Sequence, residues 1–203
     1  MGQQLATPLV VSGDCSGNIL KTVLLPGKNG RYGTMDNPLT LSLTHQDEID
    51  LSWMGGLLDG EGSFNLHGKR DAQHNGKKGG RKISVQIRMG NTNPEILAEY
   101  IRLLNKYDIG HYIYKQQSRP WHKIATIVAV NRMISVYCLA KLIYPYVRAK
   151  RPHCYLVMNF LESRFKRASQ GYNILYSDSE LSWMDKLQEA NRKGVRDCMS
   201  STE

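Results

Sequence analysis

Two short runs of strict alternation, separated by a Gly/Lys-rich stretch, constrain this chain more than any other feature. In residues 63–69 (SFNLHGK), Phe64 and Leu66 alternate with Ser63, Asn65, His67 and Lys69; in residues 82–88, Ile83, Val85 and Ile87 are interleaved by Lys82, Ser84, Gln86 and Arg88. Successive side chains on a strand point to opposite faces. The pair therefore predicts an antiparallel hairpin with one apolar face that must be covered and one polar face. The polar set, Asn65, His67, Lys69, Lys82, Ser84, Gln86 and Arg88, contains no acid, and nearly every member can donate a hydrogen bond. Gln, Asn, Lys and Arg are the side chains that read base edges in the major groove, and a two-stranded ribbon is narrow enough to enter it. The tip carries Lys77, Lys78, Arg81 and Lys82 among glycines, a composition suited to phosphate contacts, which position without specifying. A solvated face with a flexible tip is the alternative reading of the same residues.

Around this hairpin the pattern is helical. Thr44, followed three residues later by Asp47 and then by Glu48, reads as a capped helix start, and Ile49, Trp53, Met54, Leu57 and Leu58 recur at helical spacing. A second helix is expected over 94–107, with Pro94 at its first position. Strands are expected near 110–116 and 123–130, then helices over 134–146 and 154–166 separated by the basic turn RAKRPH, and a last helix over 180–191. The order predicts an α+β fold with helices segregated from a four-stranded antiparallel sheet. Residues 1–44 differ: Pro8, Pro26 and Pro38 are interleaved with glycines, and no periodicity lasts long. They read as an extended arm carried by a main domain at 45–203.

Charge sets the class of partner. With 27 Lys+Arg against 18 Asp+Glu among 203 residues, the formal charge is +9, which points to a polyanion, nucleic acid first. The longest uncharged apolar run, 124–130, is far shorter than the ~20 residues a membrane helix needs. The first residues lack the basic and apolar regions of a secretory signal. Cys15, Cys138, Cys154 and Cys198 are scattered without CxxC spacing, which argues against a zinc knuckle or a disulfide framework. These features predict a protein kept in a reducing compartment, off the membrane. No Walker A, HExxH or GxSxG sequence appears.

The segment MGGLLDGEG, residues 54–62, is the most specific. Glycine in a helix interior costs ~1 kcal/mol relative to alanine, so three glycines at the end of an apolar helix require a compensating gain. Gly56 and Gly60 are four apart and share a face, where a second backbone can approach closely. Glu61 follows beside the negative end of the helix dipole, which is unfavourable for an anion unless a cation is bound there. A Gly-rich helix end with a surface glutamate is the alternative.

This nonapeptide resembles the LAGLIDADG motif, with Glu61 in place of its last acid, and its single occurrence resembles the one-motif homing endonucleases. The similarity extends over most of residues 46–199: the hairpin resembles that family's DNA-reading strands, YPYVRAKRPHCYLVMNFLE its later helix pair, and SWMDKLQEANRKG its C-terminal helix. The repeated tetrapeptide LSWM at 181–184 lacks the Gly/acid ending and is not a second motif. The resemblance implies an αββαββα fold whose antiparallel four-stranded sheet forms a saddle with helices on its other face. It implies a homodimer packed through Trp53, Gly56 and Gly60, so that both copies of Glu61, with the Gly60 carbonyl, hold Mg²⁺ (Ca²⁺ or Mn²⁺ substituting in binding). The implied activity is double-strand cleavage of a long pseudo-palindromic DNA site by metal-dependent phosphodiester hydrolysis, in the compartment of a host genome, bacterial or organellar. A non-cleaving binder of DNA or of host-intron RNA (a maturase or a regulator) is the alternative.

By the same resemblance Lys150 matches the lysine near that family's active site, with Arg148 and Arg151 as neighbours that keep a plain loop role open. Lys115, Arg192 and Lys193 are expected DNA contacts. Tyr112, Tyr114 and Trp121 are read as more in keeping with core than with DNA. Asp59 is expected to cap or orient the helix end rather than bind metal. At the end of the second strand, where the family often has glutamine, this chain has Met89, with Asn91 two residues on.

Overall fold

The computed structural model describes residues 11–13, 19–25, 39–70, 81–117, 121, 123–168 and 176–193. Helix α1 (His45–Glu61) begins as its sequence dictates: Thr44 Oγ1 accepts from the Asp47 N–H at 3.2 Å, and the Asp47 carboxylate accepts from the Thr44 N–H at 2.8 Å. This reciprocal pair satisfies two of the donors a helix start leaves open. Strands β4 (Gly62–Arg70) and β5 (Arg81–Asn91), helix α2 (Pro94–Lys106), strands β6 (Tyr112–Gln116) and β7 (Ala125–Val130), and helices α3 (Met133–Ile143), α4 (Arg151–Ala168) and α5 (Asp178–Lys193) follow. Pro94 does open α2, and the Asn93 side chain caps it by accepting from the Glu95 N–H. Helix α4 starts three residues before the position expected from periodicity, with Pro152 in its first turn, where a missing N–H is harmless.

The four strands form one antiparallel sheet in the order β4-β5-β7-β6. Its architecture is the α+β arrangement expected. Register confirms the hairpin's division of labour: Ser63 pairs with Arg88, Asn65 with Gln86, His67 with Ser84 and Lys69 with Lys82, while Phe64 faces Ile87 and Leu66 faces Val85. A slip of one residue would exchange the two faces. The apolar face packs on the helices, with Phe64, Ile87, Met89 and Val128 fully buried against Leu51, Met54, Leu58, Leu104, Leu139 and Phe160.

Helix α5 protects the free edge of β4. Gln188 Nε2 donates to the Leu66 carbonyl at 3.2 Å and Asn191 Nδ2 to the Phe64 carbonyl at 3.0 Å, which occupies acceptors an open strand edge would present. The second LSWM lies in α5, with Met184 buried beneath Gly68. Glu180, wholly buried, ties α5 to α4 by accepting from Ser163 Oγ, Arg167 Nη1 and the Ser177 N–H.

Within residues 1–44 the structure holds strands β1 (Val11–Gly13), β2 (Ile19–Leu25) and β3 (Leu39–Leu43), paired antiparallel in a second sheet with β2 against α3 and β3 against α1. An extended arm without lasting periodicity was expected. The three-stranded pairing is set by contacts distant in sequence, and strands this short carry little period of their own.

The start of α1 is bound to the end of α2 by charge. Lys106 Nζ lies 2.7 Å from Asp47 Oδ1 and 2.7 Å from Asp50 Oδ2, and the Tyr107 hydroxyl donates to Asp47 at 3.0 Å. Burial by itself would raise both carboxyls. The Lys106 bonds outweigh it, together with Thr44 and Tyr107 for Asp47 and Gln46 for Asp50, and hold both below the ordinary value of 3.8. A carboxyl depressed in the folded state contributes stability above its unfolded pKa and loses it as pH falls. Urea midpoints are therefore expected to stay level above about pH 5 and drop below about pH 4. Asp47→Asn is expected to be less stable than wild type at pH 7, with the gap narrowing at pH 3; a constant gap would show that this carboxylate does not carry the effect.

Candidate active site

Helix α1 passes into β4 without a loop, and glycine makes that possible. Gly62 is extended, its N–H donates to the Leu58 carbonyl, and a Cβ there would come 2.5 Å from that same oxygen. Gly55 serves another close approach: its Cβ position lies 2.8 Å from Tyr146 Cβ and 3.1 Å from the Tyr146 carbonyl carbon. The end of α1 is thereby laid against the segment that leads into α4.

Two charged groups link these segments in opposite senses. The Asp59 carboxylate accepts from three consecutive backbone N–H groups, of Arg148 at 2.6 Å, Ala149 at 3.2 Å and Lys150 at 2.9 Å. Burial opposes the charge, but these bonds and the nearby Lys150 ammonium overcome it and hold Asp59 below the ordinary carboxylate range. In return, Lys150 Nζ donates to the carbonyls of Leu58 at 3.2 Å, Gly60 at 3.3 Å and Gly62 at 2.7 Å. Leu58 already accepts from the Gly62 N–H, Gly60 is among the acceptors a helix C-terminus leaves open, and a cation is favoured there. Burial pushes the Lys150 ammonium down, while the charges of Asp59 and Glu61 oppose that shift. Of its basic neighbours, Arg151 turns away, onto the Pro145 carbonyl at 3.2 Å and the Tyr144 ring.

Glu61 is exposed, and no described residue hydrogen-bonds its carboxylate. Across the sheet, Gly62 pairs with Met89, which is fully buried on the core face; Asn91 Oδ1 accepts from the Asn93 N–H at 2.9 Å, at the start of α2. Met89 brings no polar group to the end of α1, and Asn91 is half-exposed with its carbonyl oxygen used at the head of α2.

No protein-family model matches the chain, and no curated protein matches it. Solved structures do. I-LtrWI, a LAGLIDADG homing endonuclease bound to target DNA, aligns with a TM-score of 0.51 at 19% identity, covering 74% of this chain and 49% of its own. The meganuclease I-SmaMI, bound to uncleavable DNA, aligns with a TM-score of 0.51 at 13% identity, covering 76% of this chain and 46% of its own. The chain has the LAGLIDADG homing endonuclease fold. The homing endonuclease I-CvuI, in complex with the I-CreI target in the presence of Mg, is covered over 97% of its length at 15% identity and a TM-score of 0.47. The chain spans about half the length of I-LtrWI and of I-SmaMI.

On this fold the motif helix has two faces. Leu51, Met54, Gly55 and Leu58 are buried, and on the opposite side Ile49, Trp53, Gly56 and Gly60 are exposed. A Cβ added at Gly56 or Gly60 meets nothing within 4 Å. The donor set beside it suits a hard cation: a carboxylate and a backbone carbonyl, all oxygen. Among the described residues no three of His, Cys, Asp and Glu gather to hold a metal within one chain. Gly60 O already accepts from Lys150 but keeps a second lone pair.

The polar sheet face assembles most of the expected set. His67 and Ser84 are exposed, and Gln86 and Arg88 half-buried. Asn65 belongs to that face by register but is nearly buried, donating to Ser63 Oγ at 3.0 Å. Register also puts Tyr112 and Tyr114 on it, opposite Ala129 and Ile127. Tyr112 is exposed, stacks on Tyr114, and accepts a hydrogen bond from Gln86 Nε2. The expectation of core does not hold for Tyr112 or Trp121, which are exposed, while Tyr114 is half-buried; β6 is an edge strand exposed on both faces, Ile113 included. Lys115 pairs with Thr126 and shares the other face with Ile113, apart from the polar set. The backbones of Lys69, Arg81, Lys82 and Lys193 lie in β4, β5 and α5, their side chains outside the described residues, as are Lys77 and Lys78 altogether; Arg192 is exposed near the end of α5.

Gly55→Ala is expected to force α1 away from Tyr146 and to lower the unfolding free energy by about 1–3 kcal/mol, the range for overpacking a close contact. Gly56→Ala, made in open space, is expected to leave the protomer's urea midpoint unchanged or raise it. Equal loss in both variants would show that Gly55 is not set by its contact with Tyr146.

Proposed function

We propose that this protein is a site-specific double-strand DNA endonuclease that works as a homodimer on a long pseudo-palindromic site and depends on Mg²⁺. The observation that carries the reading is the exposed Glu61 carboxylate at the end of a helix whose outer face is left open. One chain offers a single carboxylate there, and pairing two chains through Trp53, Gly56 and Gly60 doubles the donor set. The half-length match to I-LtrWI and I-SmaMI, both solved on DNA, supports the same pairing.

In this reading Glu61 and the Gly60 carbonyl would hold Mg²⁺, which would supply a more acidic water and charge neutralisation at a phosphate. Lys150 stabilises the negative charge that builds on that phosphate. The polar face lies over the duplex: His67, Ser84, Gln86 and Arg88, joined by Tyr112, meet base edges, and Lys69, Lys77, Lys78, Arg81, Lys82, Arg192 and Lys193 meet phosphates. Asn65 acts there by holding Ser63. Lys115, on the opposite face, is left out of this surface. A second reading has its own observation: buried Met89 beside Gly62 cannot order a water by hydrogen bonding, which favours a non-cleaving binder of DNA or intron RNA.

Incubation with a plasmid carrying the candidate insertion junction of the host intron, with and without Mg²⁺, decides between them. Double-strand cutting that requires Mg²⁺ is expected; tight binding without cutting selects the second reading. Glu61→Gln is expected to lower cleavage on the order of 10²–10³-fold, the scale of one lost electrostatic contact, with duplex affinity retained. Full activity in that variant removes Glu61 from the mechanism. Gly56→Leu is expected to keep the fold but shift the protein to monomer in sedimentation velocity; an unchanged oligomer would move the interface off α1.

A further inference from the structure

We propose that Asp59 is a positioning residue that sets the Lys150 ammonium against the end of α1, and through it the rate of cleavage. The second half of this statement rests on the function proposed above.

The argument begins with three successive N–H groups, of Arg148, Ala149 and Lys150, that converge on one carboxylate. Such a run forms a concave anion cradle, and bonds to an ionised acceptor are about twice as strong as neutral ones. Both oxygens are used: Oδ2 takes Arg148 and Ala149, and Oδ1 takes Lys150. The Lys150 backbone is thus pinned to residue 59. Its side chain then returns to the carbonyls of residues 58, 60 and 62, which bracket Asp59 and Glu61. The loop closes on itself: the backbone of 150 hangs on the side chain of 59, and the side chain of 150 hangs on the backbone around it. With Asp59 removed, the turn loses its anchor and the ammonium its fixed distance to Glu61. Asparagine offers one oxygen where aspartate offers two, so Asp59→Asn must release either Lys150 or the Arg148/Ala149 pair.

The test is a double-mutant cycle read in single-turnover cleavage and in duplex affinity. Asp59→Asn is expected to lower the cleavage rate about 10–100-fold, the range for a group that orients a site residue, with duplex affinity unchanged. In a Lys150→Met background the same substitution is expected to cost nothing more; losses that multiply, or an Asp59→Asn protein as fast as wild type, overturn the proposal. A second readout needs no cleavage. Acetylation of Lys150, followed by peptide mass spectrometry, is expected to be slow in wild type and to rise in Asp59→Asn to the rate of exposed Lys186. Unchanged protection overturns the proposal outright. Should Asp59→Asn not fold, Asp59→Glu, which keeps both oxygens on a longer arm, is expected to show the same rise in labelling. If the wild type cuts no DNA, the nuclease reading has failed on its own, and the labelling alone decides whether Asp59 sets Lys150.

Discussion

The candidate site is built on the exchange of charges between the last turn of α1 and the turn that opens α4. A carboxylate from the first fills N–H groups of the second, and an ammonium from the second fills carbonyls of the first. Each helix terminus carries the partial charge that the other segment's side chain complements. Because α1 continues straight into β4, the same contact fixes where the sheet begins, and Gly55 against Tyr146 and Gly62 against Leu58 allow the backbones to come close enough for it.

The second organising fact is that α1 is apolar on two sides. One side is consumed by the core, through Leu51, Met54 and Leu58. The other, Ile49 and Trp53 with Gly56 and Gly60 between them and the helix end, is left to solvent in a single chain. The polar sheet face holds its donors in register, with Gln86 bonded to Tyr112, Asn65 to Ser63 and Ser84 to the His67 carbonyl. In the function proposed above, the open helix face, the Glu61 carboxylate beside it and the donor-rich sheet are the surfaces that meet other molecules.

Much of this was legible in the residues. The Thr44–Asp47 cap, Pro94 at the head of α2, and the order of elements after residue 44 follow from local chemistry, since each depends on neighbours three or four positions away. Hairpin alternation foretold which of residues 63–69 and 82–88 face the core, because side chains on a strand alternate without exception. Other features were not visible. Tyr112 and Lys115 both sit in β6, and only pairing with β7 shows that the tyrosine shares the polar face and the lysine does not. Asn65 alternates correctly yet is buried, because burial depends on what lies over a face as well as on which face it is. The pairing of β1 with β2 and of β2 with β3 left no periodic trace.

The order of the chain carried the motif with Glu61, the acid-free face and the fold class, because local spacing and chemical type are written there; Lys150 was marked only by the family resemblance. Tertiary structure decided that Lys150 meets the carbonyls around Glu61, that Asp59 holds the turn carrying it, and that Gly55 rather than Gly56 or Gly60 serves the protomer's own packing. These are contacts between positions about ninety residues apart. Their geometry comes from how α1, the sheet and the helices behind it pack together, and no period or propensity in the string encodes a distance of that kind.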